Sequence, residues 1–355
     1  MTPSDTQLKA KVVRLESDSL DDVYQYVVDQ GWCDGLPIVP PTKERVEAML
    51  GGTKRSPQDV VAAIPPNNAP GTVEKIAINA VMAGCRPEYL PVVIAAIEAC
   101  TAPAFNLYAL NTTTSSVSPL LIINGPIRNQ LKVNCGYSVF GSDGSRSNAT
   151  IGRAVRLCMV NIGGATPGIV SKSTMGNPGR YTACIGEWEE KSPWPPLHVR
   201  RGFKAAESTV TVFGSQGTLN LQDTECKTAK GLLTVIAHSI DMPCTNKVLG
   251  KAESGAILLA LCPDFANIIA RDGWSVEDAQ KFLWEETKAI PLSRFPEELL
   301  ENMHKKGRIV NGVVPLAARP DQFMFVVAGG LGGLHCIACH SFAETDPVTK
   351  AIPEA

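Results

Sequence analysis

At 355 residues, with 44% hydrophobic and 19% charged side chains, the chain is long enough for two compact units or one extended α/β domain, and this make-up excludes general disorder. Its 33 basic and 35 acidic residues leave a formal charge of −2 with no basic block, which excludes the electrostatic footprint of a nucleic-acid binder. The longest apolar stretches, such as Leu90 to Ala99 and Ala256 to Cys262, are too short to span a bilayer.

Residues 1–18 read as a flexible leader. Ser19 is placed to cap a helix from Leu20 to Gln30 that Gly31 stops. Proline keeps Gly31-Trp-Cys-Asp-Gly-Leu-Pro-Ile-Val-Pro-Pro41 extended, and Thr42 precedes a second helix, Lys43 to Leu50. After the loop Ile64 to Gly71, Thr72 caps a helix running to Ala83. The break at Arg86-Pro87 leads to a further helix, Glu88 to Cys100, apolar nearly all round and so buried on most faces.

Short apolar runs bounded by glycine or proline read as strands at Pro119–Asn124, Ser208–Phe213, Ala256–Leu261 and Gln322–Val327. Between them helices are expected at Ala149–Ile162, Thr228–Ile240, Pro263–Arg271, Ser275–Lys288 and Pro296–Lys305. Continuously apolar strands alternating with helices predict an α/β fold, with a mixed or mostly parallel sheet covered by helices on both faces. The expected organisation is a leader, an N-terminal lobe over 19–206 and an intertwined C-terminal lobe over 207–355 that completes the core. No tandem repeat shows in the sequence.

Several polar groupings carry chemical readings. On the helix from Thr72, Glu74 and Lys75 lie near the start and Lys75 and Asn79 are i, i+4 neighbours. Cys85 falls at the helix end beside Arg86, where a cation lowers a thiol's pKa. The plainer reading is a capped helix with a charged edge. Asn148, before a helix, offers either an anion cradle or an N-cap, and Gly329 and Gly330, after a strand, offer either converging amides or a tight turn. No helix follows those glycines, so there is no dinucleotide fingerprint. His198, in a proline-braced stretch rich in Trp and Glu, is a candidate acid or base.

Cys336-Ile-Ala-Cys339-His340 has the spacing of a soft-metal site for zinc or iron, or of a redox dithiol; the competing reading is a strand with buried thiols. Eleven scattered cysteines and a polar N-terminus without a secretory core point to reduced thiols in the cytoplasm.

The stretches Gly31 to Thr42 and Val73 to Pro91, with Ile122-Ile-Asn124-Gly-Pro126, Asn148 to Arg153, Ser192-Pro-Trp194, His198-Val199 and Val326 to Gly330, resemble a widespread, poorly characterised bacterial family. That family is associated with proteins carrying a UGSC or CGSC motif. The resemblance implies thiol or selenol redox chemistry and a thiol- or selenol-bearing partner protein. It also implies that Glu74, Lys75, Asn79, Cys85, Asn124, Asn148 and His198 are the safer site candidates. The family more usually has threonine at Cys33 and lacks the cysteines and histidine of the tail, which sets those apart from any shared reaction.

The leading expectation is a cytosolic enzyme for a small polar or anionic substrate, with thiol-linked redox or carbon–heteroatom bond chemistry. Cys85 would be the nucleophile, Glu74 and His198 the proton-handling groups, and Lys75, Asn79, Asn124, Asn148, Gly329 and Gly330 the binding residues. The rivals are a metal-dependent lyase or hydrolase using Cys336, Cys339 and His340, and a non-catalytic partner subunit; assembly as a homo-oligomer is compatible with each.

Overall fold

The computed structural model describes residues 8–141, 144–250 and 252–353. Residues 1–7 of the leader and Ser142 and Asp143 of the loop before Asn148 lie outside it. Its strands are β1 (Val60–Ile64), β2 (Ala69–Thr72), β3 (Ser118–Asn124), β4 (Cys184–Gly186), β5 (Thr209–Ser215), β6 (Leu219–Gln222), β7 (Ile257–Leu261), β8 (Ile290–Pro291), β9 (Val313–Val314), β10 (Phe323–Val327), β11 (His335–His340) and β12 (Val348–Ala351).

The expected helices form within a few residues of their predicted ends, among them Leu20–Asp29, Lys43–Leu50, Val73–Ala83, Leu90–Cys100 and Arg146–Asn161. Thr72 caps as expected, accepting the Lys75 amide at 3.3 Å. Ser19 and Thr42 do not cap through their side chains. The helix expected from Ala149 starts at Arg146, because Ser145 accepts the Asn148 amide and so takes the cap position.

The fold is α/β with mixed sheets, but the single sheet expected from the sequence is two. They run β12-β5-β3-β4 and β10-β7-β11-β6. Along β3, Leu121 and Ile123 face the helices Val73–Ala83, Leu90–Cys100 and Arg146–Asn161, whereas Leu120 and Ile122 face the other sheet. Along β7, Ile257, Leu259 and Leu261 face the helices Ala229–Ile240, Pro263–Arg271 and Val276–Thr287, and Leu258 and Ala260 face inward. The result is four layers: helices, sheet, sheet, helices. Each strand is apolar on both faces because one covers helices and the other a sheet, a distinction no single strand's composition records.

The two sheets repeat one plan. β4 is parallel to β3, which is antiparallel to β5, which is antiparallel to β12; β10, β7, β11 and β6 stand in the same senses. The register repeats too. The Glu187 amide bonds the Ile123 carbonyl at the end of β4, and the Ala328 amide bonds the Leu261 carbonyl at the end of β10. The fourth strand of each set is exchanged: β6 follows β5 in the chain yet pairs with β11, and β12 follows β11 yet pairs with β5. At the crossing Ser215 bridges Ser341, with Gln216 donating to His340 and Phe342 donating to Gly214 across the same point. The fold is therefore a duplication whose halves swap an edge strand, although the sequence shows no repeat. No single helix among the described residues is long and apolar enough to cross a membrane.

Candidate functional site

The ends of β3 and β4 and the start of β5 gather an unusual density of buried polar groups. Asn124, last in β3, is fully buried and donates to Glu187 at 2.6 Å and Glu189 at 3.0 Å. Glu187 also accepts the Leu197 amide at 2.8 Å, and Glu189 accepts the Gly125 amide at 2.7 Å. The proline-braced segment then turns into the short helix Leu197–Arg200, which places a fully buried His198 with Nδ1 4.0 Å from Glu189. Arg128, 3% exposed, reaches Glu190 at 2.5 Å and holds its Nε 3.8 Å from Glu189.

Much of this cluster's hydrogen-bonding capacity is unused. Asn124 Oδ1, Arg128 Nε, both nitrogens of His198 and Thr209 Oγ1 are buried without a partner among the described residues, and Thr209 stands directly across from Asn124 in the sheet. A buried polar atom left unbonded costs about 1–3 kcal/mol, so several in one place mark a spot built to bond something else.

The charges are tuned apart. Burial pushes the Glu187 carboxyl above its ordinary range, with neighbouring Glu189 adding to the rise. Glu190, against some cost of burial, is pulled down to about 2 by hydrogen bonds from Asn129 and Arg128. A carboxyl shifted upward close to one shifted downward is the kind of divergence that acid–base chemistry uses.

The second half closes over this cluster. The Trp188 amide donates to Val327 at 2.6 Å and the Gly329 amide to the Cys135 carbonyl at 2.9 Å. Cys135, half-buried in the loop after Arg128, holds its thiol 3.5 Å from Arg128 Nη1. Burial raises that thiol's pKa and the Arg128 charge opposes the rise. Asn148 supports the same loop: its side chain accepts the Asn134 amide at 2.7 Å and donates to the carbonyls of Asn134 and Cys184. Its amide is committed to structure, so the anion cradle is not formed.

Of the residues singled out from the sequence, Asn124, His198, Gly329 and Gly330 thus share one region, with Asn148 bracing it. The others lie elsewhere. Glu74 accepts the backbone amides of Lys9 and Ala10 and the Gln58 side chain, which ties down that part of the expected flexible leader. Lys75 and Asn79 line a separate surface cavity of about 280 Å³ with Asn161. Asn161 joins Asn79 to the Trp32 carbonyl, and Arg153 grips Asp34 at 2.7 and 2.8 Å, so the glycine-tryptophan motif serves as a docking seam.

Cys85 is corrected most sharply. Eleven positions along the helix separate it from Glu74, on the order of 16 Å at 1.5 Å per residue. Its thiol is buried against the Thr150 carbonyl and burial pushes its pKa up to about 12. The neighbouring Arg86 points to solvent and pairs with Glu88. Iodoacetamide at pH 8 should label exposed Cys244 first, Cys135 more slowly and Cys85 last, as peptide mapping over a time course would show. Early labelling of Cys85 would contradict this burial.

The tail motif is corrected as well. Cys336 and Cys339 lie on β11, where side chains alternate. Cys336 packs among the outer helices and Cys339 between the sheets, with the His340 ring on the Cys336 side. A strand cannot turn both thiols onto one metal, and no group of ligating side chains suited to an ion forms among the described residues.

Arg128 and Cys135 carry no signal in the sequence, and Glu187 and Glu189 show there only as part of an acidic, proline-braced loop. The triplet Glu187, Glu189, Glu190 was visible as a cluster of acids, but nothing in its spacing told that Asn124 would meet it. No family model and no curated protein matches the chain.

Proposed function

We propose that this chain is a cytoplasmic enzyme acting on a small polar substrate, with carbon–heteroatom bond chemistry run by the cluster at the ends of β3 and β4. Glu187 supplies a proton to the departing heteroatom, Glu189 with His198 accepts one, and Arg128 Nε faces the polar group that orients the substrate. The thiol within reach is Cys135, which inherits the role first given to Cys85. What carries the reading is the set of unbonded buried atoms on Asn124, Arg128, His198 and Thr209, gathered around a carboxyl whose pKa is raised. The family resemblance supports thiol-linked chemistry, and eleven free cysteines support a reducing compartment.

A thermal-shift screen of small carboxylic acids, amines, amides and polyols, followed by turnover assays on the hits, tests it. Glu187→Gln and His198→Gln should each lower kcat by about 10²–10⁴-fold, and Arg128→Lys should weaken binding. If hits turn over equally well in all three variants, the site is elsewhere. A screen without any ligand, together with recovery of a thiol- or selenol-bearing protein on the immobilised chain, would favour the partner-subunit role instead.

A further inference from the structure

The duplication gives each half one segment at the end of its parallel pair, and the two segments have diverged. By strand register Glu187 corresponds to Ala328, and the residues that follow are Trp188, Glu189 and Glu190 in one half and Gly329, Gly330 and Leu331 in the other. One copy carries the charged groups. The other is a glycine-rich strap, with Gly329 at φ +106° and Gly332 at φ +74°, values that side-chain-bearing residues rarely adopt.

That strap is held by a handful of contacts, two of them from one exposed side chain. The Tyr137 ring lies so close to Gly330 that a Cβ there would sit 2.1 Å from its Cδ1. The Tyr137 hydroxyl donates to the Leu331 carbonyl at 3.1 Å, and the Cys135 carbonyl takes the Gly329 amide. On the far side the Gly332 amide rests on Asp264 at 2.9 Å and Cys262 donates to the Gly333 carbonyl. Tyr137 itself is 68% exposed, so it is placed to let go without disturbing the core. Beneath it, Gly136 lies against the Trp188 ring, and Trp188 is flanked by Glu187 and Glu189. His198 and Asn124 are fully buried, so a ligand reaches their unbonded atoms only if something moves.

We propose that residues 328–333 form a flap over the Asn124–Glu187–His198 cluster, latched shut by Tyr137 across Gly330 and Leu331. Release of the latch opens the mouth beside Cys135 and admits the substrate. This inference rests on the cluster being a site, but its test does not depend on turnover. The native-state rate of Cys135 alkylation by iodoacetamide is measured by mass spectrometry, with exposed Cys244 as the internal reference. Tyr137→Ala, which removes the latch, and Gly330→Ala, which drives a methyl into the ring, should each speed Cys135 labelling at least tenfold. Rates within twofold of wild type in both would overturn the flap.

Buried Cys85 reports general loosening. If it becomes reactive in those variants, Tyr137→Phe decides, since it removes only the bond to Leu331. A threefold or greater gain at Cys135 with Cys85 silent supports the latch, and no gain overturns it. A flap that opens while Glu187 and His198 variants keep full turnover would leave the latch standing and remove the acid–base reading alone.

Discussion

Between pH 6.5 and pH 4 the protein should lose about 3 kcal/mol of stability through a single residue, His340, and replacing it with glutamine should abolish that part of the loss. His340 ends β11, is 4% exposed, and neither ring nitrogen meets hydrogen-bond geometry with a partner among the described residues. Burial first, then the nearby Lys247 ammonium, holds its pKa down to about 4 from the usual 6.5. Above pH 6.5 the ring is neutral in both the folded and unfolded chain and adds no pH dependence. As the pH falls below 6.5 the unfolded chain takes up a proton that the folded chain refuses, so stability declines until the folded ring titrates near 4. The two pKa values differ by two to three units, at about 1.4 kcal/mol each. Urea unfolding at half-unit steps from pH 7.5 to 4 gives the slope directly. Acids that titrate in the same window affect wild type and His340→Gln alike, so the difference between the two curves isolates the ring. Parallel curves within about 0.5 kcal/mol would show that His340 is not buried as described.

The same residue shows how much a linear motif can mislead. Cys336, Cys339 and His340 spell a metal or redox pattern only if the chain curls so that positions three apart meet. In a strand the side chains alternate, and β11 sends Cys336 outward and Cys339 inward. The competing reading, a strand with buried thiols, is the one that forms, although His335-Cys-Ile-Ala-Cys-His340 lacks the branched apolar run that marks β3 or β7. β6 and β12 escaped notice for a related reason: Leu219-Asn-Leu-Gln222 and Val348-Thr-Lys-Ala351 are edge strands, partly or fully exposed, and carry little hydrophobic signal.

The longer helices and strands β3, β5, β7 and β10 were legible because each shows its own period, cap or bounding glycine. The doubling of the sheet was not. A strand between helices and a sheet has the same composition as one between two layers of helices. The site was half legible for a comparable reason. His198 stood out by its proline-braced surroundings and Asn124 by the resemblance alone, but their meeting depends on β3, β4 and β5 lying side by side. Glu74 and Cys85, at the start and the end of one helical stretch, are held apart by its length. Local pattern reveals which side chains are unusual, and the sheet decides which of them meet.

The strand exchange makes a strong claim about how stability is distributed, and Phe213 tests it. This ring projects from β5 into the layer between the sheets, is fully buried, and is the one aromatic side chain among the buried residues of that cluster. Helices on an outer face can shift to fill part of a cavity. Two hydrogen-bonded sheets joined at Ser215 and Ser341 have little freedom to close on one. Phe213→Ala should therefore cost about 3–5 kcal/mol, the range for an aromatic truncated in a rigid core. Phe213→Leu, which keeps most of the volume, should cost about 1.5 kcal/mol or less. Because β12 carries the second half's chain into the first sheet and β6 carries the first half's chain into the second, the loss should appear as one cooperative urea transition moved to lower concentration, seen equally by tryptophan fluorescence and far-UV circular dichroism. Two separated transitions, or an alanine variant within about 1 kcal/mol of wild type, would mean that the sheets do not share this layer.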